Sequence, residues 1–432
     1  MQKWIIVVFL VLFSSCSVSE TREISEEKLN IRYLSAAQMY AIITNYYPNL
    51  SLESANDAYL NLLTVIQNGE SDFHYGRAKE ILINSTLDLH NISYPTTAEI
   101  LETGYLPVKL IYNEGQIYVK QINENSPIPL FSEIVGVNGM QPLEWFAEEV
   151  PSLYRQCNTN NDFNYLLKFL EAGYLGDKIR LDYLIDGVRE TVDLSYEHNN
   201  RWIALNRLEK DIDYLYQGNS YSLGLIDDII YIKSLSLSIP APIVEELIEE
   251  LSKDYYKVII DLRENGGGFY DNGFRLIRPF MSNDFYTADF IYNYNYDDPF
   301  DYYKPVAYGG FIQKSSNSEK IEVETNHNFE VVVLIGQDCL SACEGAAYFA
   351  KQQENMTLMG ENTGGMTAVI SRFQLADGTI VILSIALMEV DGEYKNSIGI
   401  EPDIYIDFAD MHLQEGIDIV LENAIDYLNN NR

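Results

Sequence analysis

The hydrophobic pattern changes character twice along the chain. From Ile31 to about Leu89 apolar residues recur at helical spacing, most clearly at Ala58, Leu60, Leu62, Leu63 and Ile66, which predicts packed helices. Between about Leu101 and Tyr196 it breaks into short runs bounded by turn residues: Val108 to Tyr112, Gln116 to Val119, and Ile134 to Val137. These predict short strands. From about Tyr221 onward the two signals alternate. Ile229 to Ile232 reads as a strand, and Ile243, Val244, Leu247, Ile248 and Leu251 form one face of an amphipathic helix. Tyr256 to Leu262 and Val331 to Ile335 read as buried strands, and Glu344 to Ala350 as a helix packed on a sheet. Strand, helix, strand at this spacing predicts an α/β core. A last helix is expected from about Leu413 to Asn429.

Two of the buried strands end in residues that carry chemistry. Tyr256 to Leu262 runs through Arg263, Glu264 and Asn265 into Gly266, Gly267 and Gly268. Glycines after a strand permit positive φ and close backbone approach, as an oxyanion hole or a bound substrate backbone requires; a plain turn needs only one or two. Val331 to Ile335 leads through Gly336, Gln337, Asp338, Cys339 and Leu340 to Ser341, at the start of the predicted helix. A serine there is either an N-cap or a nucleophile with free helix-start N–H groups beside it.

The ordered pair D-L-R-E-N-G-G-G, beginning at Asp261, and S-A-C-E, beginning at Ser341, resembles the core of the C-terminal processing and tricorn-type serine peptidases. Ile134 to Gly139 followed by Pro142 to Phe146 looks like the strand and following helix of a PDZ domain, a fold that takes a peptide as an added strand. Thr103 to Pro107 lacks the glycine-rich form of a carboxylate-binding loop. Ile398 to Ile404 is similar to the segment that closes these peptidase cores. The resemblance implies an α/β peptidase core of the Clp-protease and crotonase-like type, with a PDZ-like β-rich domain and an N-terminal helical domain. The expected organisation is a signal over 1–16, a linker over 17–30, the helical domain over 31–98, the PDZ-like domain over 101–196 and the serine peptidase core over 218–432. The tyrosine-rich stretch from Phe285 to about Asn328 reads either as a β-hairpin excursion or as a wall of the substrate cleft.

The 432 residues carry a net charge of −35 with no compensating basic stripe, which excludes nucleic-acid binding and disfavours anionic lipid surfaces. Any membrane attachment must come from elsewhere. Lys3 precedes the apolar stretch Trp4 to Phe13, too short to span a bilayer, and Ser14 and Ser15 lead to Cys16. This resembles a bacterial lipoprotein signal, which implies lipidation at Cys16 and a lipid-anchored place in the cell envelope. The alternative is an ordinary cleaved signal, and either implies export. Cys157, Cys339 and Cys343 form no CxxC pair and adjoin no histidine cluster, so neither a metal site nor a cofactor is predicted. Cys339 and Cys343 are expected as small buried thiols beside the strand, a bridge between them requiring the helix to begin earlier than it reads.

A serine needs a partner to take its proton. The processing-peptidase branch uses a lysine within T-F-G-K-G; here Thr363-Gly364-Gly365-Met366-Thr367 puts Met366 at that position, and methionine is no base. Lys351 lies roughly 15 Å from Ser341 by helix rise. The tricorn-type branch uses a histidine in an L-x-D-x-H-T segment, which Leu87-Asp88-Leu89-His90-Asn91 resembles. The resemblance thus implies His90 as general base, a natural role for an imidazole, while His74, His198, His327 and His412 read as surface or cap residues. The acid that orients His90 is left between Asn396 and Glu393. The expected oxyanion donors are the N–H of Ala342 with that of Gly266 or Gly267. Glu344 and Arg263 read as structural polar groups. The whole predicts a serine endopeptidase that cuts exported proteins or peptides through an acyl-enzyme. The alternative is a catalytically inactive peptidase-fold lipoprotein that binds peptides, favoured by Met366 and the unsettled acid. An acyl-CoA enzyme on the crotonase fold fits poorly with a PDZ-like insert and export.

Overall fold

The computed structural model describes residues 24–48, 50–88, 90–113, 115–198, 212–240, 242–292, 306–307, 318–323, 329–406 and 418–430. Cys16, His327, His412 and most of the tyrosine-rich stretch lie outside the described residues.

The wholly apolar runs form the centre of a seven-stranded sheet. Its order is Ile404–Tyr405, Met356–Gly360, Glu330–Ile335, Lys257–Asp261, Ile229–Ser234, Tyr221–Ile226, Asp213–Gln217. The first five strands are parallel and the last two pair antiparallel. Parallel strands are buried on both faces, which is why Val258 to Ile260 and Val331 to Ile335 carry no polar alternation. One face packs on helices Tyr270–Ile277 and Ala342–Lys351 through Leu276, Ile277, Ala346 and Phe349. The other packs on helix Ile419–Asn430 through Val420, Leu421, Ala424, Ile425 and Leu428. Arg263 fastens that second layer: its guanidinium donates to both Asp261 and Asp418, so it is the structural polar group expected of it.

Three N-terminal helices, Glu26–Tyr46, Leu52–Gln67 and Asp72–Ile83, each begin on a serine cap, Ser25, Ser51 and Ser71. They have no separate core. Met39, Ile43, Leu62 and Leu82 pack against Phe373, Leu383, Ile385 and Leu387 of a second sheet built around strands Val369–Gln374 and Ile380–Val390. Strand Ile92–Tyr94, which follows the helices, pairs antiparallel with Ile380–Ile382 of that sheet. The buried Lys79 ammonium clamps the two layers, meeting Glu99 at 2.8 Å and Asp377 at 3.0 Å.

The intervening region is a five-stranded antiparallel sheet in the order Val108–Asn113, Gln116–Ile122, Glu133–Val137, Lys178–Ile185, Val188–Ser195. Helices Pro142–Glu149 and Asn160–Glu171 pack on it around Phe146, Leu166 and Leu170. Thr103–Tyr105, within the loop considered for carboxylate capture, is instead a short strand paired with Ala172–Tyr174. No helix among the described residues is long and apolar enough to cross a membrane.

Candidate active site

Strands Lys257–Asp261 and Glu330–Ile335 are parallel neighbours in register, Asp261 opposite Leu334, so their C-terminal turns emerge side by side. In open α/β sheets that end of the strands is where ligands bind. The two turns are tied directly: Leu340 N–H donates to the Asn265 carbonyl at 3.0 Å. Gly267, at φ +91°, comes so close to Ser341 that a Cβ on it would lie 2.6 Å from the Leu340 carbonyl oxygen, 2.8 Å from Ser341 Cβ and 3.3 Å from Ala342 N. Only glycine fits there.

Ser341 stands immediately before helix Ala342–Lys351 with φ 59° and ψ −119°, a conformation rarely taken by residues with a side chain. Its backbone N–H donates to Glu344 Oε2 at 3.0 Å, the carboxylate half of a capping box at this helix start. Glu344 is fully buried and also accepts from Thr363 Oγ1 at 2.7 Å and Gly365 N–H at 2.8 Å. Burial outweighs these donors and pushes its carboxyl up to about 7.

The expected oxyanion donors fare unequally. Gly266 N–H reaches the Leu235 carbonyl at 3.3 Å and Gly267 N–H donates to Asn265 Oδ1 at 2.9 Å, so both are engaged within the turn. The N–H groups of Ala342 and Gly268 find no acceptor among the described residues. Gly267 thus serves as the wall against which the serine packs rather than as a free donor.

His90 lies in the turn between the third N-terminal helix and strand Ile92–Tyr94. It is 8% exposed, burial pushes its imidazole down to about 4, and its Nδ1 is buried without a hydrogen-bond partner. The ring is therefore neutral at pH 7 and able to accept a proton. Its segment is bonded to that of the serine. Gly365, held by Glu344, accepts from Ser397 N–H at 2.8 Å through its carbonyl, and Ser397 Oγ donates to the Leu87 carbonyl at 2.8 Å. Neither candidate acid hydrogen-bonds His90 Nδ1. Glu393 is an exposed carboxylate paired with Lys395 at 2.6 Å. Asn396 donates from Nδ2 to Asp88 Oδ2 at 2.6 Å and accepts from Thr367 Oγ1 at 2.7 Å.

Asp88 is the residue that sequence reasoning passed over. It is fully buried, and Oδ1 accepts the His90 backbone N–H at 3.0 Å. Burial pushes its carboxyl up to about 6 against hydrogen bonds from the His90 N–H and the Tyr47 and Asn396 side chains. Its signal was already present in L-x-D-x-H. The cysteines are a second correction. Cys339 and Cys343 are not thiols but a disulfide, Cα atoms 5.4 Å apart, although the helix begins no earlier than Ala342. The bridge crosses the turn instead of running along a helix. Cys157 is free.

The remaining sequence candidates are placed elsewhere. Met366 sits beside the cluster, its backbone N–H directed to Glu344. Lys351 donates to the Glu401 carbonyl at 2.6 Å and pairs with Asp403. His74 bonds Ser71 at 2.9 Å. The β-rich region reaches the serine's approach turn: Asn164 Nδ2 donates to Gln337 Oε1 at 2.9 Å, and Lys120 pairs with Asp338 at 2.6 Å. A cavity of about 630 Å³ opens between Tyr286, Tyr348, Lys351, Asp391 and Glu401, and neither Ser341 nor His90 lines it. No group of residues suited to hold a metal occurs among the described residues.

Residues 228–406 match the family model described as Peptidase family S41. A carboxyl-terminal-processing protease of Synechocystis sp. is 26% identical over 187 residues, covering 42% of this chain and 38% of its own length. The carboxy-terminal processing protease CtpA of Bacillus subtilis is 27% identical over 168 residues, covering 39% and 31%. The chain therefore spans less than half the length of these curated relatives. Among solved structures, mature CPAF superimposes with a TM-score of 0.65 at 14% identity, over 93% of this chain and 96% of the other. A peptidase structure from Parabacteroides merdae gives 0.52 at 15%, over 93% and 96%. At these identities the likeness is one of fold: mixed α/β with N-terminal helices.

Proposed function

Since the chain carries a domain of peptidase family S41, we propose that it is a serine endopeptidase acting on exported proteins or peptides. The observation that carries this reading is Ser341 itself: a non-glycine residue at φ 59° before a helix, its N–H held by the Glu344 carboxylate and its Cβ pressed against Gly267 beside the unspent N–H of Ala342. Such strain is retained where it serves a reaction. Ser341 Oγ attacks the scissile carbonyl carbon while His90 accepts its proton. The oxyanion is held by the N–H of Ala342 together with that of Gly268, the unspent donor of the glycine turn. The proton passes from His90 to the departing amine, and water attacks the acyl-enzyme in a second, equivalent round. Asp88 holds the backbone of His90, and Asn396 holds Asp88.

The β-rich region between Leu101 and Tyr196 is taken as PDZ-like, offering a sheet edge to the substrate chain, and Cys16 as a lipid anchor in the cell envelope. Loss of membrane sedimentation in Cys16→Ala tests the anchor.

One observation favours a second reading, a peptide-binding protein without turnover: His90 Nδ1 has no partner to orient the ring, and Asn396 stands where an acid was expected. A fluorophosphonate serine probe separates the two. Labelling of the wild type that is lost in Ser341→Ala and reduced in His90→Ala supports the enzyme. An unlabelled wild type, beside a processing peptidase that labels, supports the binder.

A further inference from the structure

The Cys339–Cys343 disulfide encloses only Leu340, Ser341 and Ala342, that is, the serine and the adjoining N–H donor. Both sulfur-bearing residues are fully buried, in the core beneath helix Ala342–Lys351. A bridge across so short a loop removes little freedom from an unfolded chain, far less than one joining distant segments. Its effect is therefore local. What is local here is the costly conformation: Ser341 at φ 59° between a turn closed by Cys339 N–H on the Gly336 carbonyl and a helix whose first turn contains Cys343. Without restraint, such a junction relaxes by winding the helix one residue back through the serine, into ordinary right-handed geometry. The hydrogen bonds opposing that relaxation come from neighbouring loops: Leu340 N–H to Asn265 and Gly364 N–H to the Cys339 carbonyl. The disulfide opposes it covalently from within.

We infer that the Cys339–Cys343 disulfide is a positioning element for the nucleophile, so that Ser341 reactivity depends on the oxidised state of this pair. The inference rests on Ser341 being the nucleophile. Opening the pair takes two electrons from a dithiol: one thiolate attacks a cysteine sulfur and breaks the S–S bond, the second resolves the mixed disulfide, and both cysteines end protonated while the dithiol leaves as its own disulfide. Exported proteins keep such bonds where the surroundings are oxidising, so the bridge makes the peptidase competent after export and weak before it.

The test compares the second-order rate of fluorophosphonate labelling in the full chain and in Cys339→Ala/Cys343→Ala, with melting temperatures of both and peptide mapping of the unreduced wild type. The expected result is a bridged peptide in the map, and labelling slowed roughly tenfold to a hundredfold in the double variant at a temperature well below both melting points. A merely structural bridge would lower the melting temperature and leave that rate alone. A second arm uses the wild type, reduced with excess dithiol and then reoxidised; the rate should fall and return, with alkylation tracking the two thiols. Equal rates in bridged and unbridged protein, or free thiols at both positions in the map, overturn the inference while leaving the peptidase reading in place. Absence of labelling in every sample overturns both.

Discussion

Gly267→Ala is the sharpest perturbation of the site, because its neighbour Gly266 supplies the control. At Gly267 the added methyl would meet the Leu340 carbonyl oxygen at 2.6 Å and Ser341 Cβ at 2.8 Å. The first is a backbone atom and the second moves only with its backbone, so neither can swing aside. The φ of +91° adds strain of about 1–3 kcal/mol for a residue with a side chain. The cheapest relief is a shift of the serine turn by several tenths of an ångström to an ångström, and displacement on that scale costs about a hundredfold in rate. At Gly266 an added Cβ would meet nothing within 4 Å, and its φ is not in the positive range. Gly267→Ala is thus expected to slow fluorophosphonate labelling about a hundredfold and Gly266→Ala by less than about threefold. The assay is the labelling rate at a temperature where calorimetry finds both variants folded. Equal rates in the two variants, or a wild-type rate in Gly267→Ala, would refute the packing argument.

The other predictions concern protons and the clamp behind the site. His90, held near 4 against an ordinary 6.5, gives stability that is present above pH 6.5 and lost as pH falls through 4; this amounts to about 3 kcal/mol. Denaturant unfolding of His90→Gln should therefore show a flatter fall between those pH values, and an unchanged slope would count against burial of the ring. Glu344, raised to about 7 from 4.5, has the opposite sign: its contribution is full below pH 4.5 and about 3 kcal/mol is lost as pH rises through 7. Glu344→Gln should remove that loss, measured by the same unfolding series. Lys79, fully buried between Glu99 and Asp377, should on replacement by Met leave two uncompensated carboxylates and cost about 3–5 kcal/mol in urea unfolding. A cost under about 1 kcal/mol would mean that the clamp is not holding the helices to the sheet that carries the His90 strand.

The position of the candidate serine was legible because everything that places it is local: an apolar strand, a turn, a serine and a helix of small residues lie within one segment, and Gly266 to Gly268 lie at the end of one other. What the glycine N–H groups do was not legible. Their acceptors are the Asn265 side chain and the Leu235 carbonyl, and the latter is set by how neighbouring strands meet. Asp88 stood in the motif that pointed to His90, yet its surroundings are made by Asn396 and Tyr47, brought from distant parts of the chain. Helical periodicity in the first eighty or so residues, from Ile31 onward, predicted a buried face but not its partner, which turned out to be strands Val369–Gln374 and Ile380–Val390. The four-residue spacing of Cys339 and Cys343 suits a helix as well as a crossed turn, and only the boundary at Ala342 decides between them.

The central claim is that Ser341 is a nucleophile activated by the neutral imidazole of His90. Its most direct measurement is the site and rate of fluorophosphonate modification, read by peptide mass spectrometry in the wild type, Ser341→Ala and His90→Ala. A single adduct on Ser341, absent from the first variant and at least about a hundredfold slower in the second, is the predicted result. An adduct on another residue, or one on Ser341 that forms at the same rate without His90, would contradict it.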